Sequence, residues 1–152
     1  MARIKLDLPE QFAFATELPV RITDINYGQH LGNDAVLAFL HETRVRFLQS
    51  HGLSEVDVGG CGLIMTDAVI VFKAQARQGD VLRCEIAAQD VGALGCDFVY
   101  RLTRPADGVE IARAKTGIVC FDYARGRPVR APEPFLRACA PSAAAPEVRP
   151  CG

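Results

Sequence analysis

The sequence predicts an α+β protein in which one long helix is wrapped by a curved antiparallel sheet of about five strands. A segment beginning near residue 33 is apolar on every side over its first two turns, which is typical of a buried helix. One strand-like stretch precedes this segment, and four more follow it, joined by short turns. The 152 residues suit one domain with a core of its own.

The composition excludes several classes of function. The 17 basic and 18 acidic residues give a net charge of −1 with no basic run, and Trp is absent, so we expect no nucleic-acid partner. No apolar run approaches the roughly 20 residues that span a bilayer, so we expect no membrane segment. The first ten residues carry charges, which argues against a signal peptide, and we place the protein in the cytoplasm.

The six cysteines show no metal-binding spacing. None forms a Cys-x-x-Cys pair, and the three histidines are not spaced as metal ligands. In a cytoplasmic chain we therefore expect free thiols, most of them buried, and no metal site.

The first elements are a strand, a turn and the long helix. Apolar residues alternate from Phe14 to Ile25 and predict a strand, and Asn26 to His30 forms a turn. The helix is predicted from Asn33 to Ser50, with Asn33 as its N-cap and Gly52 just beyond its C-terminus.

The four later segments predict strands joined as antiparallel hairpins. Gly-containing turns separate them, and short turns between consecutive strands favour antiparallel pairing. Because one sheet cannot cover every side of such a helix, we expect a homodimer or homotetramer. The predicted strands are Leu63 to Gln75, Asp80 to Val91, Leu94 to Thr103 and Glu110 to Asp122.

The domain is predicted to cover residues 1–137. The remainder, 138–152, is rich in Pro, Ala and Ser toward its end and is predicted to be a disordered C-terminal tail.

The helix and the residues before it resemble a known family. The run from Asp24 through Gly28-Gln29-His30-Leu31-Gly32-Asn33 to Glu42-Thr43-Arg44 is similar to the Asp…Gly-His-Val-Asn-Asn…Glu-x-x-Arg pattern of the 4-hydroxybenzoyl-CoA thioesterase family. Gln78-Gly79-Asp80 resembles a later family motif. The resemblance covers about residues 15–137 and implies the hotdog fold and hydrolysis of an acyl-CoA thioester. Gly32 departs from the family, which has Asn there.

The resemblance implies a site around Asp24. This family uses an acidic residue as nucleophile or general base, and Asp24 is the matching position, although the residue alone is equally typical of a strand-end cap. His30 could orient the carboxylate or bind the carbonyl, and Asn33 would shape the helix end. Backbone amides around Leu31 and Gly32 could stabilise the oxyanion, because the start of a helix has free N–H groups.

Other side chains are secondary candidates. Glu42 is a helical carboxylate, as some hotdog thioesterases use, but an i,i+4 ion pair with Arg46 explains it as well. Asp67 begins an apolar strand and could line a subunit interface. The candidates for contacts to the phosphates of coenzyme A are basic. They are Lys73, Arg77, Arg104 and Arg113.

Three functions remain open from the sequence. The first is an acyl-CoA thioesterase that needs no cofactor beyond the coenzyme A of its substrate. The second is an enoyl-thioester hydratase or dehydratase, which the resemblance disfavours because His30 comes one residue late and a proline is missing after Asn26. The third is a non-catalytic acyl-thioester binding protein, since one fold hosts many activities.

Overall fold

The computed structural model describes residues 1–141 and 148–149. The chain has an α+β architecture with two helices and a curved sheet that does not close on itself. The helices are α1 (Asn33–Ser50) and α2 (Glu133–Cys139), with a single 3₁₀ turn at Ile22–Asp24. The strands are β1 (Phe14–Pro19), β2 (Gly62–Phe72), β3 (Val81–Gln89), β4 (Gly95–Arg104), β5 (Val109–Asp122), β6 (Arg127–Pro128) and β7 (Val148–Arg149).

The strands are ordered β2-β5-β4-β3-β1-β7, and β6 pairs with β5. The pairs β1–β3, β3–β4, β4–β5 and β2–β5 are antiparallel, whereas β7 runs parallel to β1. The four predicted strands are present with small changes of bounds, and the hairpins β3–β4 and β4–β5 are confirmed. The predicted hairpin between β2 and β3 is wrong, because β2 crosses to the far side of the sheet and pairs with β5.

The long helix has the predicted bounds and a well-defined end. Gly52 has φ +72°, and its N–H donates to the carbonyl of Gln49 while the N–H of Leu53 donates to that of Leu48. This pair of bonds is the Schellman motif, which requires a left-handed residue at the position that Gly52 fills.

The prediction that the helix is buried on every side is wrong for the single chain. α1 packs one face against β1 and β3, where Phe47 and Leu48 are fully buried. Nearer the start of the helix Leu37 is 39% exposed, and Ala38 is also exposed. The apolar character of these two positions is therefore not explained by contacts among the described residues.

The first strand is shorter than predicted. Its pairing with β3 runs from Phe14 to Pro19, and the N–H of Val20 still donates to the carbonyl of Asp80 at 2.8 Å. The chain then turns through the 3₁₀ segment to Asp24. The turn places Asp24 beside the start of α1, since the N–H of Gly32 donates to the carbonyl of Asp24 at 2.9 Å.

The C-terminal boundary also differs from the prediction. Ala138 and Cys139, assigned to the tail, are buried residues of α2, and residues 148–149 pair with β1. The rest of the predicted tail from 142 onward lies outside the described residues.

The five cysteines that the structure describes are free thiols, as predicted. Four are buried and Cys61 is half-buried. Burial raises the pKa of the Cys84 thiol to about 12, so this group is an inert part of the core at neutral pH. No described helix is long and apolar enough to cross a membrane.

Candidate active site at the start of helix α1

The loop before α1 is shaped by the side chain of Asn26. Its carbonyl oxygen accepts the N–H of Gly28 at 2.9 Å and that of His30 at 3.4 Å. Short amide side chains favour such turns because they replace a backbone acceptor. Gln29 takes φ 64°, a left-handed conformation that is uncommon outside Gly, which reverses the chain so that His30 faces the helix end.

A cleft of about 300 Å³ opens beside this loop. We call it the helix-end cleft. His30 and Asn33 lie on one wall, and Lys73 and Gln75, just after β2, lie on the other. Its remaining lining residues are Asn26, Leu31, Val36, Phe72, Ala74, Ala76 and Ile111. The structure thus brings together three predicted residues that are distant in sequence.

The helix end leaves fewer free amides than predicted. The N–H of Leu31 donates to the carbonyl of Ala76 at 2.8 Å, and that of Gly32 donates to Asp24. The prediction that Leu31 and Gly32 supply oxyanion donors is therefore wrong for this conformation. The first amide to bond within the helix is that of Val36, which donates to the carbonyl of Gly32. The amides of residues 33–35 have no acceptor among the described residues.

The predicted N-cap is displaced by one residue. Gly32 is the N-cap, with φ −64° and ψ 147°, and Asn33 is already the first helical residue. Because Asn33 does not cap the helix, its exposed side chain is available to the cleft.

Asp24 is buried, and Arg21 holds its carboxylate. The backbone N–H of Arg21 donates to Oδ2 at 2.8 Å, and the guanidinium donates to both oxygens at 3.2 Å. The hydrogen bond to Asp24, and then the charge of Asp24, raise the pKa of the Arg21 guanidinium. Asp24 does not line the helix-end cleft, so the structure does not bring its carboxylate together with His30 and Asn33 there. Arg21 is a residue that the sequence reasoning missed, because a strand was predicted through this turn.

A second depression lies beside Arg21. This groove of about 510 Å³ runs between the end of β1 and α1, and Arg21 and Glu42 both line it. Glu42 accepts a hydrogen bond from Arg46 at 2.7 Å, which confirms the predicted i,i+4 pair.

Asp67 lies outside both depressions. It points to the outer face of the sheet, where Lys115 donates to it at 2.6 Å. The ion pair with Lys115 lowers the pKa of the Asp67 carboxyl. Asp67 is therefore an outer-face charge.

The four basic candidates fall into two groups. Arg104 is engaged by Asp80 and Asp107 at the end of β4, and Arg113 forms a two-pronged pair with Glu110 on the outer face. The side chains of Lys73 and Arg77 form no hydrogen bond or ion pair within the described part of the chain. Lys73, at the helix-end cleft, is the better placed of these two. No cluster of three His, Cys, Asp or Glu side chains suited to a metal ion occurs among the described residues.

Comparison with known proteins agrees with the fold. The model of the thioesterase-like superfamily matches residues 20–139, and the chain therefore belongs to this superfamily. No curated protein matches the sequence.

Solved structures share the architecture over most of the chain. A 1,4-dihydroxy-2-naphthoyl-CoA thioesterase from Synechocystis is 26% identical, with a TM-score of 0.76 over 83% of this chain and 94% of that protein. A Thermus thermophilus protein is also 26% identical, with a TM-score of 0.74 over 83% and 96%. A Staphylococcus aureus 1,4-dihydroxy-2-naphthoyl-CoA thioesterase, 15% identical, has a TM-score of 0.71 over 77% and 79%, a likeness of fold alone. These matches confirm the predicted family of hotdog-fold thioesterases.

Proposed function

We propose that the protein hydrolyses an acyl-CoA thioester to a free acid and coenzyme A. The observation that carries the proposal is the helix-end cleft, where His30, Asn33 and Lys73 meet at unpaired amides of α1. A water oxygen adds to the thioester carbonyl carbon, negative charge develops on the carbonyl oxygen, and the C–S bond breaks to release the thiolate. Amide donors aimed at that oxygen are a strong means of lowering the barrier.

In this proposal the amides of residues 33–35 replace those of Leu31 and Gly32 as the oxyanion site. They lie in the first turn of an 18-residue helix, where the backbone dipole also favours negative charge. His30 contributes a ring that forms no hydrogen bond within the described residues. Its role is to contact the carbonyl or the leaving group.

Asp24 acts as general base or nucleophile, on the family resemblance. A carboxylate oxygen can accept two hydrogen bonds, and Oδ1 accepts only one from Arg21. Asp24 is therefore not saturated, but it must turn from Arg21 to reach a water in the cleft. The Arg21 side chain is 68% exposed, so it can move without repacking the core.

Coenzyme A phosphates are met by Lys73 and Arg77, the two candidates whose side chains form no internal ion pair. Both are exposed near the mouth of the cleft, which spares the energy of breaking a bond before binding. No further cofactor or metal is needed for this chemistry. A cytoplasmic location would supply the substrate.

The active unit is a homodimer or homotetramer. The helix-facing side of β2 is apolar and incompletely covered, with Met65 45% and Phe72 51% exposed, beside the exposed Leu37 of α1. A second copy of the chain would bury this continuous apolar surface.

The decisive test compares Asp24→Asn with wild type on a panel of acyl-CoA substrates, with free thiol as the readout. We expect wild type to release thiol and Asp24→Asn to lose at least about 100-fold in kcat. Asp90→Asn is the matched control, since Asp90 is an exposed carboxylate in the connection after β3 and does not line the helix-end cleft. Full activity in Asp24→Asn would remove Asp24 from the mechanism.

A second candidate, a non-catalytic acyl-thioester binding protein, is favoured by one observation. Arg21 closes Asp24 off from the cleft in the described conformation. This alternative predicts that acyl-CoA binds, as measured by calorimetry, while no thiol is released from any member of the panel. Hydration of crotonyl-CoA without hydrolysis would instead indicate the hydratase.

A further inference from the structure

Helix α1 carries a buried arginine, Arg44, on the side that also holds the partly exposed Leu37. Arg44 is 8% exposed, and its Nε donates to Glu55 at 2.5 Å while Nη1 donates to the Tyr100 hydroxyl at 3.3 Å. Tyr100 in turn bonds to Thr116 at 2.9 Å, and His41 bonds to the second oxygen of Glu55 at 2.7 Å. Two edges of the guanidinium are thus fixed by the protein.

The third nitrogen of Arg44 has no partner. No acceptor contacts Nη2 among the described residues, and yet no fully buried side-chain nitrogen or oxygen there lacks a hydrogen bond. It follows that Nη2 reaches open space. A guanidinium has five N–H donors, and those on Nη2 remain available to a ligand.

Arg44 also lines a cavity of about 240 Å³ between α1 and the sheet, which we call the Arg44 cavity. Apolar side chains form most of its wall. Its two ionisable lining residues, Arg44 and His41, are both of the basic type. The remaining lining residues are Leu37, Ala38, Leu40, Met65 and Thr116. An apolar cavity with a guanidinium at one end suits a ligand that has a methylene chain and a terminal carboxylate.

The Arg44 cavity lies further along α1 than the helix-end cleft. Asn33, Leu37 and Arg44 lie within about 40° of one another around α1, given 3.6 residues per turn. Arg44 is about 16 Å further along the axis than Asn33, at roughly 1.5 Å per residue, and its side chain tilts back toward the N-terminus. An acyl group whose carbonyl sits at the amides of α1 can therefore extend along this stripe toward Arg44.

We propose that the Arg44 cavity binds the far end of the acyl group and takes a carboxylate on Arg44 Nη2, so that the preferred substrates are coenzyme A monothioesters of dicarboxylic acids. This inference rests on the proposed thioesterase function and specifies its substrate class.

The experiment compares matched pairs of thioesters that differ only at the far end. Glutaryl-, adipoyl- and suberyl-CoA are each paired with pentanoyl-, hexanoyl- and octanoyl-CoA, and kcat/KM is measured for all six. We expect at least one carboxylate-ended member to be preferred over its methyl-ended partner by tenfold or more. Equal rates within every pair, or a preference for the methyl-ended members, would overturn the inference and leave the thioesterase function standing.

Two sets of variants test the residues. Arg44→Lys keeps a positive charge but loses the planar guanidinium, so the preference for carboxylate-ended over methyl-ended thioesters should fall by tenfold or more. Because Arg44 also holds Glu55 and Tyr100, a second pair is placed at Met65 on the wall of the cavity, where Met65→Glu should repel the carboxylate and Met65→Gln should not. Both variants are compared in the oligomeric state of wild type, checked by size-exclusion chromatography, because a second copy of the chain would cover Met65. An unchanged ratio between paired substrates in Met65→Glu contradicts the proposed path. If the Arg44 variant does not fold, the Met65 pair decides.

Calorimetry separates this inference from the proposed function. If no thioester is hydrolysed, the thioesterase function fails, but tenfold tighter binding of adipoyl-CoA than of hexanoyl-CoA would still support the cavity assignment. Equal binding of the two would reject it.

Discussion

The carboxylate of Asp24 is enclosed by Arg21, three residues earlier in the chain. The backbone N–H and the guanidinium of Arg21 together donate three hydrogen bonds to it. The 3₁₀ turn at Ile22–Asp24 creates this arrangement, because it folds the chain back just after Pro19 ends the first strand. Asp24, the residue proposed as general base or nucleophile, therefore also closes this turn. Its carboxylate must leave Arg21 before it can act.

Replacing Arg21 by Gln separates these two roles. The variant keeps the backbone N–H bond to Oδ2 but removes the charged partner of the carboxylate. Two of the three hydrogen bonds that hold the carboxylate away from the helix-end cleft are lost, so kcat should rise if Asp24 must turn from Arg21 to act. Arg127→Gln, at an exposed position on β6, is the control and should leave kcat unchanged. A kcat identical to wild type in Arg21→Gln would show that Arg21 does not limit the release of Asp24.

The outer face of the sheet carries a charge pair whose effect depends on pH. Arg113 donates through Nε and Nη2 to the two oxygens of Glu110, each at 2.8 Å, and these hydrogen bonds lower the pKa of the Glu110 carboxyl below 4.5. A lowered folded-state pKa stabilises the fold above the unfolded-state pKa, and the stabilisation is lost as pH falls through the folded value.

Glu110→Gln should therefore reduce the free energy of unfolding at pH 7 by no more than about 1 kcal/mol, since the pair is partly exposed. The difference in the free energy of unfolding between this variant and wild type should shrink as the pH falls, as measured by urea unfolding at pH 7 and at pH 3. Glu133→Gln serves as the control, because Glu133 is 80% exposed and lies 3.9 Å from its partner Arg137. A gap of equal size at pH 7 and pH 3 would assign the effect to packing instead of charge.

The pairing of strands β4 and β5 leaves no room for a side chain at Gly95. A Cβ atom at this position would lie 1.9 Å from the carbonyl oxygen of Ile118, which belongs to the backbone of the neighbouring strand and cannot rotate away. Gly95→Ala should therefore separate the strands locally and cost about 2–3 kcal/mol of stability. Gly92, in the same hairpin connection, has its nearest neighbour at 4.0 Å, so Gly92→Ala should stay within about 0.5 kcal/mol of wild type. Thermal unfolding of the two alanine variants side by side checks both values.

The sequence was sufficient for elements with strong local signals. The bounds of α1 are those predicted, because an apolar run begins directly after Asn33 and Asp34 and Gly52 supplies the left-handed residue that ends the helix. α2 was missed because seven residues are too few for a helical period to be visible. The Pro at position 134, in the first turn, was the signal that could have indicated it.

The site was predictable in its residues but not in its arrangement. His30, Asn33 and Lys73 were identified separately, and only the pairing of β2 with β5 brings Lys73 to the helix end. The period-two pattern continued through Val20 and Ile22, which concealed the turn that encloses Asp24. Local periodicity does not reveal a 3₁₀ turn whose residues keep the alternation of the strand before it, so the part played by Arg21 required the structure.

Gly32 is where this chain departs from the family pattern, and the structure shows what the departure allows. A Cβ atom on Gly32 would lie 2.6 Å from Oδ1 of Asp34, so the absence of a side chain leaves room for that carboxylate over the start of α1. The backbone of Gly32 is extended at φ −64°, which any residue can adopt.

Gly32→Asn should therefore fold, with the Asp34 side chain rotating away. As N-cap, the new amide oxygen can accept a free N–H of the first turn, so the free energy of unfolding should rise by a few tenths of a kcal/mol. Gly32→Ala, which adds a Cβ without an acceptor, should show no such gain. We expect kcat of Gly32→Asn to fall by about 100-fold, because the new cap occupies one of the amides of residues 33–35 that are proposed to bind the oxyanion. An unchanged kcat together with the gain in stability would mean that the capped amide is not part of the oxyanion site.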